Sequence, residues 1–229
     1  MSTPRAYHRP VKLTDTFFDN RKGGEDPAAL NEAAHRSAHA LLSQGRANQD
    51  PQITARLVQF TDVFGLETIA MLWSHAPAIS LPGVLWRIYA LRDLAQKNSE
   101  IIARAYEKGM QTDWASRIVS GVADPPTQSE IIRVVDEILT GAYRGEFDIA
   151  LERFAAFCRV VSAGQEVLAH DVRTANLAPE QTSYAQPSQE VGREASHRAQ
   201  HMLSRAKTLR GTAIELETAA AKWRTGTLE

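Results

Sequence analysis

Four of the seven histidines in this chain stand in two copies of one short pattern. Glu32-Ala33-Ala34-His35-Arg36-Ser37-Ala38-His39-Ala40-Leu41 agrees with Glu194-Ala195-Ser196-His197-Arg198-Ala199-Gln200-His201-Met202-Leu203 at Glu, Ala, His, Arg, His and Leu. On a helix, positions three and four apart share one face, so each copy presents a carboxylate and two imidazoles side by side. That mixture suits Zn, Fe or Mn, and paired Glu-x-x-His helices are half of the ligand set of carboxylate-bridged di-metal bundles. A complete di-metal set needs further glutamates, for which Glu67, Glu137 and Glu152 are candidates without a spacing that selects one. Haem held between two histidines is a looser option. The competing reading, which we prefer, is a solvated helix face in which Glu and Arg serve solubility, since short motifs in Ala-rich helices recur by chance.

A second set of charged residues is the basic run Arg193, Arg198, Arg205, Lys207 and Arg210, opposed only by Glu190 and Glu194. It has the charge to meet phosphates but neither interleaved aromatics nor a helix-turn-helix spacing, so a nucleic-acid role ranks third and a solvated face first. The lone Cys158 lies among Phe154, Ala155, Phe157 and Val160 and reads as a small buried hydrophobe. His75 and the His170-Asp171 pair read as local hydrogen-bonding groups. The chain shows no recognisable catalytic motif: no Walker loop, dinucleotide-binding glycine pattern, His-Glu-x-x-His or Ser-His-Asp arrangement.

The elements that must position these residues are all helical. Asp26-Pro27 opens a helix that reaches Gln44, with Gly45 read as its stop. Asp50-Pro51 opens the next, whose Ile53, Leu57, Phe60 and Phe64 fall on one face. Segments Leu66 to Trp73 and Val84 to Leu91 are apolar nearly all round and are expected at the centre. Helices from Ser99 to Lys108 and from Thr127, with a capping-box spacing to Glu130, carry the chain to Gly141. Phe147 to Val161 keeps helical spacing up to Gly164, read as another stop. Met202, Ala206, Leu209, Ala213, Leu216, Ala220 and Trp223 then form a seam along a final long helix, fit to lie on another helix or a second subunit.

These readings give an all-α globular bundle of seven to eight helices with a long C-terminal helix. Its expected divisions are a flexible arm at 1–25, a core at 26–164, a linker at 165–187 and the long helix at 188–229. With 229 residues, 43% apolar and 23% charged, the chain is long enough for one sizeable core. A net charge of −1 gives no global pull toward nucleic acid or anionic membranes. No apolar run approaches a membrane span or a signal peptide, so a cytoplasmic protein is expected.

The pattern Leu57-Val58 through Gly65-Leu66-Glu67, then Leu72-Trp73-Ser74, Ala76-Pro77, Ser80-Leu81-Pro82-Gly83 and Leu85-Trp86-Arg87, resembles an all-helical family from actinobacteria. The resemblance continues through Val122-Ala123-Asp124-Pro125-Pro126, Leu151 to Val161, and Leu216 to Trp223. Members of that family often carry labels such as RNA polymerase beta subunit or thymidine phosphorylase. This chain has neither the size of the first nor the α/β alternation and glycine-rich phosphate loops of the second. The resemblance implies an actinobacterial cytosolic helical protein and brings no catalytic residues. The resulting expectation is a non-enzymatic interaction or adaptor protein, associating with a protein partner or with itself through its C-terminal helix. A metal- or haem-binding bundle is the alternative.

Overall fold

The computed structural model describes residues 26–47, 50–124, 126–175 and 189–229, and among them every regular element is a helix. The expected arm at 1–25 and most of the expected linker lie outside the described residues. Among the described residues ten helices follow in order: α1 (Pro27–Ala47), α2 (Pro51–Val58), α3 (Phe60–Phe64), α4 (Leu66–Trp73), α5 (Leu81–Lys97), α6 (Ser99–Gly109), α7 (Trp114–Ser120), α8 (Gln128–Tyr143), α9 (Phe147–Ala175) and α10 (Gln189–Arg224). The fold is all-α, as the sequence pattern requires, and the helix number exceeds seven to eight for two reasons. The segment from Pro51 to Phe64 breaks in two at Gln59, and a short helix forms between Asp113 and Gly121.

Helix starts follow local chemistry. Asp50 Oδ1 accepts from the Gln52 N–H at 2.8 Å, Ser80 Oγ from Gly83 N–H at 3.3 Å and Thr127 Oγ1 from Glu130 N–H at 3.2 Å. Each satisfies one of the four N–H groups that a helix start leaves without a partner. The capping box at Thr127 is only half closed, because Glu130 turns its carboxylate to the Ala123 N–H and to Arg133.

The helix with the most extensive packing is α9 rather than the segments Leu66 to Trp73 and Val84 to Leu91. Helix α9 packs on α6, α7, α8 and α10 and buries residues on every side, among them Phe147, Leu151, Phe154, Val160 and Ala169. It runs on to Ala175 instead of stopping at Gly164, which removes the first part of the expected linker. Gly164 is a contact residue: a Cβ there would stand 1.6 Å from the Ala105 carbonyl oxygen of α6. Gly45 was likewise expected to end α1, which continues to Ala47, because a Cβ at Gly45 would meet the Tyr143 ring at 2.6 Å.

Helix α10 lies antiparallel along α9. Arg224 bonds to Asp148 and Glu152, Arg159 to Glu217, Ser162 to the Ala206 carbonyl and Arg210 to Glu166, so the start of α9 meets the end of α10 and its middle meets the middle of α10. Its seam of Ala206, Ala213, Leu216 and Ala220 is buried in this contact. The helix that the seam was expected to cover is thus supplied by the same chain. Beyond α10 the chain returns to α5, where Leu228 is buried and the Leu81 N–H donates to the Glu229 oxygen at 2.6 Å.

The remaining helices form a second layer around α5 and α8. Ile131, Val134, Val135 and Ile138 of α8 are buried, as their spacing predicts. The inward face of α2 and α3 is displaced by one position from the predicted stripe: Thr54, Val58 and Thr61 are buried, while Ile53, Leu57 and Phe60 flank them and Phe64 is exposed. Helix α4 buries Ile69 and Trp73 but leaves Met71 and Leu72 in solvent, so it is not enclosed on all sides.

Candidate functional site

The two Glu-x-x-His-x-x-x-His copies lie at different ends of the α9/α10 pair. In the first, Glu32 bonds to Arg36 at 2.7 Å, His35 is half-buried and His39 exposed. The adjacent Ser37 accepts from Trp73 Nε1 at 3.0 Å, the Trp73 ring lies tilted against Tyr89 with centroids 6.4 Å apart, and Tyr89 bonds to Tyr143, four residues before α9 begins at Phe147. In the second copy Glu194, His197 and His201 are exposed, and His201 stands beside Asp171 and Ala175 near the other end of α9. The span from Phe147 to Asp171 is about 36 Å at the helical rise per residue. Among the described residues, no three His, Cys, Asp or Glu side chains come together to hold a metal ion. The six residues Glu32, His35, His39, Glu194, His197 and His201 are therefore not brought to one centre within this chain.

The basic run is also divided. Arg210 pairs with Glu166, Arg193 and His197 face an open part of α10, and Arg198 and Arg205 turn toward a cleft. Cys158 is fully buried, and burial pushes its thiol up to about 12, which makes it a packing residue.

The cleft is formed where α6, the C-terminal half of α9 and the N-terminal half of α10 meet. Its wide compartment has a volume of about 900 Å³ and is ringed by Arg104, Lys108, Arg198 and Arg205. All four are exposed, and none has an ion-pair partner among the described residues. Glu100 and Asp171 are the two carboxylates on its wall. A narrower compartment of about 250 Å³ adjoins it, lined by Leu94, Ile102, Phe157, Val161 and Leu209. Ile101, Gln165 and Arg205 line both. Gln165 is 4% exposed, and its side-chain amide has no hydrogen-bond partner among the described residues. No buried side-chain nitrogen or oxygen among the described residues is left without a partner, so the Gln165 amide reaches the open space of the cleft.

Sequence reasoning missed Gln165, Arg104 and Lys108. A signal for Gln165 was present: Phe157, Val161, Gln165 and Leu168 continue one helical stripe, so a polar residue occupies a core position. Reading Gly164 as a stop placed Gln165 in a linker and concealed it.

A different buried charge is fully satisfied. Arg92 of α5 is 1% exposed and makes a fork to Asp62, with Nη1 to Oδ1 at 2.7 Å and Nη2 to Oδ2 at 2.9 Å. Its Nε donates to Asp136 at 2.7 Å and Nη1 also to Thr61 at 3.2 Å. This network ties α5 to α3 and α8. Hydrogen bonds from Arg92 hold the Asp62 carboxyl below the usual carboxylate range, against the opposing effect of burial.

The described residues thus form an all-α fold with a basic cleft between α6, α9 and α10 and an apolar outer face on α3 and α4. No family model, curated protein or solved structure matches the chain. Among the described residues no helix is long and apolar enough to cross a membrane.

Proposed function

We propose that this is a non-enzymatic helical interaction or adaptor protein, working in the cytoplasm and belonging with the actinobacterial helical proteins it resembles. The observation that carries the reading is the apolar outer face of two consecutive short helices. Val63 is 73% exposed, Phe64 59% and Met71 72%, with Leu72 beside them. Large apolar side chains held in water on neighbouring helices are characteristic of a surface that a partner covers. The C-terminal helix is spent on α9, so the face on α3 and α4 replaces it as the surface we assign to the partner.

The test places a photo-crosslinking amino acid at position 71 in the living cell, with position 207 on the outer side of α10 as control. The expected result is one discrete adduct from position 71, either to another protein or to a second copy of this chain, that disappears when Phe64 is replaced by Asp. Crosslinking from position 71 no stronger than from position 207 overturns the reading.

A further inference from the structure

We propose that the cleft between α6, α9 and α10 binds a small anionic amphiphile: a phosphate or carboxylate head on a short hydrocarbon tail, taken up as a single molecule. The inference rests on residues separate from the exposed face of α3 and α4.

Three features point the same way. The first is charge. Arg104 and Lys108 from α6 and Arg198 and Arg205 from α10 converge on one compartment without ion-pair partners among the described residues. Elsewhere the chain pairs arginines with carboxylates across helix contacts, as in Arg87 with Glu215, Arg159 with Glu217 and Arg224 with Asp148. Four cations left over against Glu100 and Asp171 give the compartment an excess of positive charge whatever the state of His201. Low-dielectric walls strengthen its field.

The second feature is shape. Behind the charged compartment lies the narrow one, walled by Leu94, Phe157, Val161 and Leu209. Leu94 and Ile101 are large apolar side chains held partly in water at its entrance. A head among the arginines with a tail in the narrow compartment covers them. The two volumes together suit a molecule of ordinary ligand size rather than a folded domain.

The third feature is Gln165. It lies where the compartments join, is mostly buried, and turns an amide with no protein partner among the described residues to the open space of the cleft. A ligand oxygen at the junction would accept from its NH2 group while Arg205 supplies charge from the other side. A ligand oxygen there replaces the solvent that the amide meets in the open cleft, which favours a polar group over a hydrocarbon one at that depth.

The test is calorimetric titration of the full chain with octyl phosphate below its micelle concentration, alongside 1-octanol and inorganic phosphate. Saturable binding of one octyl phosphate per chain is expected, at least tenfold tighter than either of the other two. The double substitution Arg104→Gln with Arg198→Gln is expected to weaken it at least tenfold with an unchanged melting temperature, since both side chains are exposed and unpaired among the described residues. Leu94→Glu is expected to do the same from the tail end. Gln165→Leu is expected to weaken binding without lowering the melting temperature, an outcome that a merely structural glutamine would not give. Arg193→Gln, on the same helix but outside the cleft, serves as the control and is expected to leave affinity unchanged. Absence of saturable binding, equal binding of inorganic phosphate or octanol, an equal loss with Arg193→Gln, or binding to anionic vesicles in place of the monomer overturns the proposal.

Discussion

Gly109 and Gly164 face one another where α6 crosses α9. A Cβ built on either one stands 2.9 Å from the other's backbone nitrogen, and it stands 1.9 Å from the Val160 carbonyl oxygen at Gly109 and 1.6 Å from the Ala105 carbonyl oxygen at Gly164. The two backbones touch directly, and no side chain larger than hydrogen fits between them.

Gly164→Ala is therefore expected to destabilise the fold by about 3 kcal/mol or more, because relief requires the two helices to separate and overpacking outweighs the better helix propensity of Ala. Gly211→Ala on α10, where an added Cβ meets nothing within 4 Å, is the matched contrast. It is expected to stabilise by about 1 kcal/mol. Urea unfolding of the two variants, read by circular dichroism, checks both signs.

The Arg92 network predicts an acid limb to stability. Asp62 has its folded pKa lowered, chiefly by hydrogen bonds from Arg92, relative to its unfolded value. Such a group contributes stability that is present above the unfolded carboxylate value and is lost as pH falls through the folded value. Asp62→Asn should flatten the decline in urea midpoint between neutral pH and the acid range. Arg92→Met should be destabilising at neutral pH, since Asp62 and Asp136 both lose their cation. An unchanged acid limb in Asp62→Asn would remove the assignment.

Cys158 should react with a thiol reagent only when the whole protein unfolds. Its thiol is wholly buried and its pKa is pushed up to about 12, so thiolate is scarce and access is closed. Labelling rates in rising urea should track global unfolding; rapid labelling in buffer would refute the packing at this position.

Leu216→Ala should lower stability by about 2–5 kcal/mol and leave the sedimentation coefficient of the folded protein unchanged. Leu216 is completely buried in the seam of α10, which α9 of the same chain covers. Dissociation of an oligomer by this substitution would show that the seam is shared between chains instead.

The fold was legible where a single cause governs each residue. Helical spacing turns Ile131, Val134, Val135 and Ile138 of α8 inward, and Asp50 and Thr127 mark helix starts through their side-chain oxygens. Glycine was ambiguous because the same residue ends helices and admits close neighbours, and only the partner backbone distinguishes the uses. Gly109 both closes α6 and admits a neighbour, whereas Gly45 and Gly164 do only the second. The stripe on α2 and α3 was ambiguous in the same way: Thr54, Val58 and Thr61 keep helical spacing one position on from Ile53, Leu57 and Phe60, and only the packing neighbours decide which of two adjacent stripes turns inward. The cleft was hidden for a further reason. Arg104, Lys108, Gln165, Arg198 and Arg205 come from three helices, and their convergence depends on the register of α9 against α10, which no local pattern encodes.

The antiparallel embrace of α9 by α10 also has a consequence during synthesis. Residues 176 to 224 must be translated after α9 is complete, which takes roughly 2–10 s at typical elongation rates. Throughout that interval the side of α9 bearing Ser162 and Val161, and later matched by Ala206, Ala213 and Leu216, has no cover from its own chain. The nascent protein is then a sticky intermediate held at the ribosome, and its yield in the cell depends on how well chaperones shield that face until the last helix arrives.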